Sequence, residues 1–228
     1  MPRCLAALLQ LASPTPPVGA FSYSQGLEWA VERGLVHDET SAGSWLGSVL
    51  NEGVAAWEAP WIAALMRAWA AGVDADVRSL NERFLASRET RELLAETLQM
   101  GRSMLDVLRD PHRCPSKRRA LLEDLARGPG LCFPVAWSAA AAQRGVAVGD
   151  ALVAYLWSWL VNSVMTAIKA VPLGQRAGQR ILTHLGGTLG ALSEAAACTP
   201  PDRCRNFLPG FTLASMHHET QYTRLFRS

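Results

Sequence analysis

The sequence predicts an all-α protein: a single-domain bundle of roughly ten helices with a C-terminal tail, and three observations carry that expectation. Apolar residues recur at steps of three and four through most of the chain, which is the period of a helix with one buried face. Nowhere does a run of β-branched residues alternate with polar ones as a strand requires. Glycines and prolines stand between the periodic stretches and punctuate them. The bundle is assigned to residues 1–205 and the tail to 206–228.

After a short apolar start, Ser13-Pro14-Thr15-Pro16-Pro17-Val18-Gly19 is a loop, because its prolines lack amide donors and disfavour helix before them. Leu27, Val31 and Leu35 at fourfold spacing predict a helix from about Ser24 to Val36, with Gly34 near its end. Asp38 or Thr40 caps the next, which carries Trp45, Leu46, Val49 and Leu50. Pro60 stands where a helix can begin, and Trp61, Leu65 and Trp69 share a face until Gly72. Asp74 and Asp76 open another, with Val77, Leu80 and Phe84. Leu94, Leu98, Gly101, Leu105 and Leu108 form a long seam, with Gly101 marking a close backbone approach. Pro111 and Pro115 interrupt the pattern, and a shorter helix closes at Gly128-Pro129-Gly130. There follow an alanine-rich segment from Pro134 to Arg144, an uncharged helix after Asp150, a helix from about Gln175 to Leu185, and one from near Gly187 that ends before Thr199-Pro200-Pro201. Beyond Pro201 apolar residues mix irregularly with arginines, which predicts a tail that is poorly ordered alone, with folding back onto the protein's own dimer as the alternative.

The hydrophobic set is 49% of the 228 residues and the charged set 18%, against about 25% in an average protein, so a sizeable core is available. Lys and Arg total 22 against 20 Asp and Glu, a net charge of +2 that argues against nucleic acid as a partner. Cys4, Cys114, Cys132, Cys198 and Cys204 are odd in number and contain no Cys-x-x-Cys, and the start leads into no secretory signal pattern, so a reducing cytoplasm is expected. The uncharged run Ala151–Ile168 approaches the length of a membrane span, but Ser158, Asn162, Ser163 and Thr166 interrupt it. It reads as the buried central helix of a soluble protein, with no membrane partner.

The chemistry-bearing motifs are sparse. There is no Gly-x-Ser-x-Gly, no His-Glu-x-x-His and no phosphate loop, since Gly174–Gln179 lacks the lysine and the preceding strand such a loop needs. His112 and Cys114 form a His-x-Cys in an exposed-looking loop, but two ligands are too few for structural zinc. Cys198, Cys204, His217 and His218 form a second cluster whose spacing fits no zinc pattern, leaving a transient nickel site or ordinary surface residues as readings. Glu28 reads as a surface salt bridge or an amide acceptor, with no second carboxylate to partner it in acid-base work. The eight tryptophans stand mostly at helical spacing and are expected in the core, with one or two at an interface. No catalytic residue, resident metal or cofactor is expected.

Three segments carry a resemblance. Leu8–Ser13 with Pro17–Glu28, then Ala170–Gln175 with Gly178-Gln179-Arg180, and finally His218–Ser228 are similar, in this order, to the UreF family of urease accessory proteins. The resemblance implies an all-α, non-enzymatic dimer that bridges UreD (also called UreH) and the GTPase UreG while nickel is inserted into apo-urease. It implies UreD contacts from Gln221, Tyr222, Arg224, Leu225, Phe226 and Arg227 in the tail. Lys169, Pro172, Gly174, Gln175, Gln179 and Arg180 are expected at the UreG side or the dimer surface, a plain turn between core helices being the alternative. In the N-terminal signature Gly19 and Gly26 are expected to allow close backbone approach and Phe21 to anchor the loop. Ser22, Ser24 and Glu28 are left between partner binding and helix capping. The alternative function is a small chaperone that carries nickel itself through the tail histidines and cysteines.

Overall fold

The structure, a computed structural model, describes residues 2–13, 17–110 and 114–228, with only the backbone of residues 2–4. The described residues are helical and contain no strand. The elements are α1 (Pro2–Ala12), a 3-10 turn (Ala20–Ser22), α2 (Leu27–Glu32), α3 (Glu39–Ser48), a π segment (Val49–Glu58), α4 (Ala59–Ala71), α5 (Asp74–Ala86), α6 (Arg91–Leu108), α7 (Ser116–Arg127), α8 (Phe133–Gln143), α9 (Val148–Ala170), α10 (Gln175–Gly186), α11 (Leu189–Cys198), a second 3-10 turn (Pro201–Arg203) and α12 (Pro209–His218).

The centre is α8 sandwiched between α4 and α6, with α9 laid across α4 and flanked by α1, α10 and α11. Small side chains make α8 suited to that place: Ala136, Ala139, Ala140 and Ala141 are all buried and let neighbouring helices come close. Its buried Ser138 is satisfied on both sides, accepting from the Trp69 indole at 3.0 Å and donating to the Val135 carbonyl at 3.0 Å. Asn81, fully buried, donates to the Gly130 carbonyl at 2.8 Å and accepts from the Cys132 amide at 3.0 Å, tying α5 to the entry of α8. Gly101 is where α6 meets that entry, since a Cβ there would collide with the Leu131 carbonyl oxygen. The close approach expected at Gly101 is therefore present.

α9 runs 23 residues and is apolar enough by length and composition to cross a membrane, but half of its most apolar stretch is buried by its neighbours. It ends where Pro172 cannot continue a helix, and the Leu173 amide closes a tight turn on the Val171 carbonyl at 2.6 Å.

Several expectations are corrected. The helix expected over 24–36 shrinks to Leu27–Glu32, because Gln25 (φ 51°) and Gly26 (φ 80°) are left-handed and Gly34 (φ 71°) ends the run, leaving Leu35 exposed. Pro60 does not start a separate helix: α3, the π segment and α4 run on, and the Ala59 amide reaches back five residues to Val54. On α6 the buried face carries Leu93, Glu96, Thr97, Met100 and Met104 rather than Leu94 and Leu98, because buried polar groups with partners occupy positions an apolar count skips. Cys114 is buried rather than exposed, which raises its thiol pKa, while His112 lies outside the described residues, as do Pro14, Thr15, Pro16, Pro111 and the side chain of Cys4. Of the tryptophans, Trp61, Trp69 and Trp137 are in the core, Trp29, Trp45, Trp57 and Trp159 are half-buried, and Trp157 is exposed.

The largest correction concerns the chain beyond Asn206. It folds back onto the protein: α12 packs on α2, and residues 219–228 continue as a strap over α2 and α6. The irregular pattern that suggested disorder arises because the strap is held by single side chains and backbone bonds, with no helical face to repeat.

Candidate functional site

The first and third of the motif segments meet at one place, where Glu28 touches Leu225 across 197 residues of sequence. The left-handed Gln25-Gly26 pair turns the chain sharply into α2, so that Glu28 in the first turn faces inward. A Cβ on Gly26 would lie 2.8 Å from the Ser215 amide nitrogen, so this glycine lets α12 dock. Gly19 (φ 77°) has open space around it, and its need is for the backbone angle alone. Phe21, expected to anchor the loop, is 61% exposed, while the nearby Val18 is buried. Ser24 is buried, and its hydroxyl accepts from the Glu28 amide at 3.4 Å, a helix-start contact. Ser22 contributes its carbonyl, which accepts from the Arg227 amide at 2.8 Å.

Glu28 is the centre of this junction. Its carboxylate accepts from the Leu225 amide at 2.6 Å and the Phe226 amide at 3.0 Å, and its Oε2 lies 3.3 Å from His218 Nε2. His218 is 0% exposed, and its Nδ1 lies 2.7 Å from Glu92 Oε2. Glu92 also receives Arg224 at 2.8 Å. Next to it the Ser228 backbone oxygen accepts from the Ser24 amide and, at 3.0 Å, from the Gln25 amide.

Glu96, one turn beyond Glu92 on α6, accepts from the Gln25 side chain at 2.7 Å and the Ser228 hydroxyl at 3.1 Å. Gln25 in turn accepts from the Trp159 indole at 2.9 Å. Behind Glu96 is a cavity of about 70 Å³ lined by, among others, Gln25, Glu58, Arg88, Tyr155 and Trp159. In it Arg88 pairs with Glu58 at 3.0 Å and the Tyr155 hydroxyl donates to Glu58 at 2.6 Å. Burial pushes the Glu96 carboxyl up to about 7, against the pull of its bonds from Gln25 and Ser228. Burial and the neighbouring Glu58 likewise raise the Tyr155 phenol, and burial with Glu96 raises that of Tyr23.

The six tail residues expected at a partner divide into two sets. Phe226 is buried by the protein's own body and Arg224 is paired, whereas Tyr222 is fully exposed and Leu225 is 75% exposed. Arg227 is exposed, and Gln221, half-buried, donates to the Thr223 carbonyl at 3.0 Å. The middle segment lies apart from this junction: Lys169, Pro172, Gly174, Gln175, Gln179 and Arg180 are exposed around the α9–α10 turn, and Arg180 is held by Glu39 of α3 at 2.7 Å.

The tail histidines and cysteines are not brought together as ligands. His217 stacks on Trp29 at 4.9 Å and His218 is committed to its carboxylates, while Cys198 and Cys204 lie on either side of the Pro200-Pro201 turn. Among the described residues no group of three or more His, Cys, Asp and Glu side chains is arranged to hold a metal ion. Sequence reasoning missed Gln25, Glu92, Glu96 and Trp159. The one readable signal was two glutamates four residues apart on the face that also carries Leu93 and Met100.

The family model described as UreF matches residues 36–186. A urease accessory protein UreF from Azoarcus sp. (strain BH72) is 55% identical, over 98% of this chain and 95% of its own length. That of Dechloromonas aromatica (strain RCB) is 51% identical, over 98% and 97%. A bifunctional urease accessory protein UreEF from Bordetella bronchiseptica is 46% identical over 98% of this chain, which spans 52% of that longer protein. With the family model covering more than half of the chain and relatives similar over nearly all of it, the chain belongs to the UreF family of urease accessory proteins.

Proposed function

We propose that this chain is a non-catalytic, cytoplasmic bridging subunit of urease maturation. As a homodimer it joins UreD (UreH) to the GTPase UreG while nickel passes into apo-urease. The observation that supports this most is the division of labour in the strap. Phe226, Glu28 and Ser228 hold it against the bundle, and it presents Tyr222 and Leu225 to solvent with Arg227 beside them. Exposed aromatic and aliphatic side chains on a pre-ordered segment cost little entropy to bind, and large aromatic and arginine side chains are the residue types of interface hot spots. The α9–α10 turn, with Lys169 and Arg180 away from the strap, supplies a separate polar surface for UreG. The fused relative named UreEF supports a place beside UreE in the same assembly.

Co-purification of the full chain with UreD, UreG and apo-urease tests the proposal. The pair Tyr222→Ala and Leu225→Ala is expected to lose UreD and urease activation while keeping the melting temperature. Lys169→Glu with Arg180→Glu is expected to lose UreG alone. Full assembly and activation by both variants would refute the assignment of these surfaces, and failure of the unaltered chain to join any of the three proteins would refute the bridging role.

A further inference from the structure

The strap is held by carboxylates from two helices, Glu28 on α2 and Glu92 and Glu96 on α6. Two of them have cationic or multiple backbone partners: Arg224 and His218 face Glu92, and two amides with His218 face Glu28. Glu96 differs. The groups around it are Gln25 from the N-terminal loop, Ser228 from the strap, Glu58 from the π segment, Arg88 after α5, and Tyr23, whose own partner is Arg227. Arg88 lies against Glu58 at 3.0 Å, so its charge is engaged there, and Glu96 meets only neutral donors at hydrogen-bond distance. Ser228, whose hydroxyl touches Glu96, is itself 1% exposed and covers the carboxylate on the strap side.

We propose that Glu96 is a proton-operated latch for the C-terminal strap, closed when its carboxyl is neutral and released when it is ionised. A neutral carboxyl loses little on being covered and still accepts from Gln25 and Ser228. An ionised one beneath the strap has only neutral donors in hydrogen-bond contact and shares its cation, Arg88, with Glu58, whereas lifting Ser228 away opens it to bulk water. Burial has moved its titration up to about 7, which puts the crossover at neutral pH. Rising pH therefore loosens the segment that carries Tyr222 and Leu225. The link to UreD rests on the function proposed above, but the latch itself is a property of the free chain and is tested without any partner.

Amide hydrogen exchange of Leu225, Phe226 and Arg227, corrected for intrinsic rate, is measured at pH 6 and pH 8 in the unaltered chain and in Glu96→Gln. A carboxyl that titrates near 7 when covered and near 4.5 when hydrated raises the opening constant about tenfold between these pH values. The amide variant, neutral throughout, is expected to show no such rise, and the amides of α8 are expected to keep their protection in both. Equal strap protection at both pH values in the unaltered chain overturns the proposal, as does the same rise in Glu96→Gln. A direct carbon NMR titration of the Glu96 carboxyl does not depend on the variant: a midpoint near 7 supports the latch, and one at or below 4.5 overturns it.

Discussion

Replacing Glu28 by alanine removes the acceptor on which the strap depends, and the cost can be worked from its contacts. Three contacts are lost, the bonds from the Leu225 amide at 2.6 Å and the Phe226 amide at 3.0 Å and the approach of His218 Nε2 at 3.3 Å, around a side chain that is only 10% exposed. A hydrogen bond to a charged acceptor is worth about 1.5–3 kcal/mol, but the Leu225 amide sits on an exposed residue and recovers part of its loss from water. A total of about 3–5 kcal/mol is left, more than the roughly 2 kcal/mol from burying Phe226, and the rest of the strap is then held by the surface-facing Arg224–Glu92 pair and the bonds of Arg227 and Ser228 to Ser22, Ser24, Gln25 and Glu96. The strap should therefore detach before the bundle melts. Hydrogen exchange at Leu225, Phe226 and Arg227 is expected to speed up by at least about a hundredfold, while α4 and α8 keep their protection. The melting temperature falls by several degrees. Strap amides that stay as protected in Glu28→Ala as in the unaltered chain would show that Glu28 is not the anchor. If UreD and UreG still assemble with the variant, its role is structural; if UreD alone is lost, the strap must be docked to be recognised.

Removing Gln221–Ser228 should lower the melting temperature, because Phe226 and the bonds of Ser228 leave with it; an unchanged melting curve would mean the strap adds nothing to the fold. For Glu96, the folded carboxyl titrates near 7 against 4.5 when free, so the folded state holds the extra proton and global stability falls as pH rises from about 4.5 to 7. Denaturant unfolding at pH 8 is expected to find Glu96→Gln more stable than the unaltered chain by up to about 3 kcal/mol, and a less stable variant there would contradict the burial argument. Gly26→Ala meets both a left-handed backbone and the Ser215 amide, whereas Gly19→Ala meets the backbone strain alone. The first should cost clearly more than the second, which loses only about 1–2 kcal/mol, and equal losses in thermal unfolding would deny the close approach of α12. Arg180→Glu breaks only the exposed pair with Glu39, so its melting temperature should hold, and any loss of UreG binding then reads as a lost contact.

The sequence by itself determined the helical class, the order of the helices and most of their ends, because these follow from local periodicity and from residues with one dominant constraint. Pro172 ends α9 for want of an amide hydrogen, Gly72 closes α4 with a left-handed φ of 68°, and Gly101 announced a close approach that α6 makes with Leu131. It also carried the family resemblance, since whole segments were legible in order. Only the tertiary structure decided what those segments do to one another. Glu92 and Glu96 carry no sequence signal of burial until α12 and the strap cover them, Glu28 reads as a surface salt bridge or an amide acceptor, and His218 as a transient nickel ligand or a surface residue, before its two nitrogens meet two carboxylates. A buried polar group is tolerated only when its partner is in place, and here the partners are distant in the chain, with 126 residues separating Glu92 from His218. No local pattern encodes a contact of that range. It comes into being when the left-handed turn at Gln25-Gly26 leaves room for α12 and the last residues close over the carboxylates.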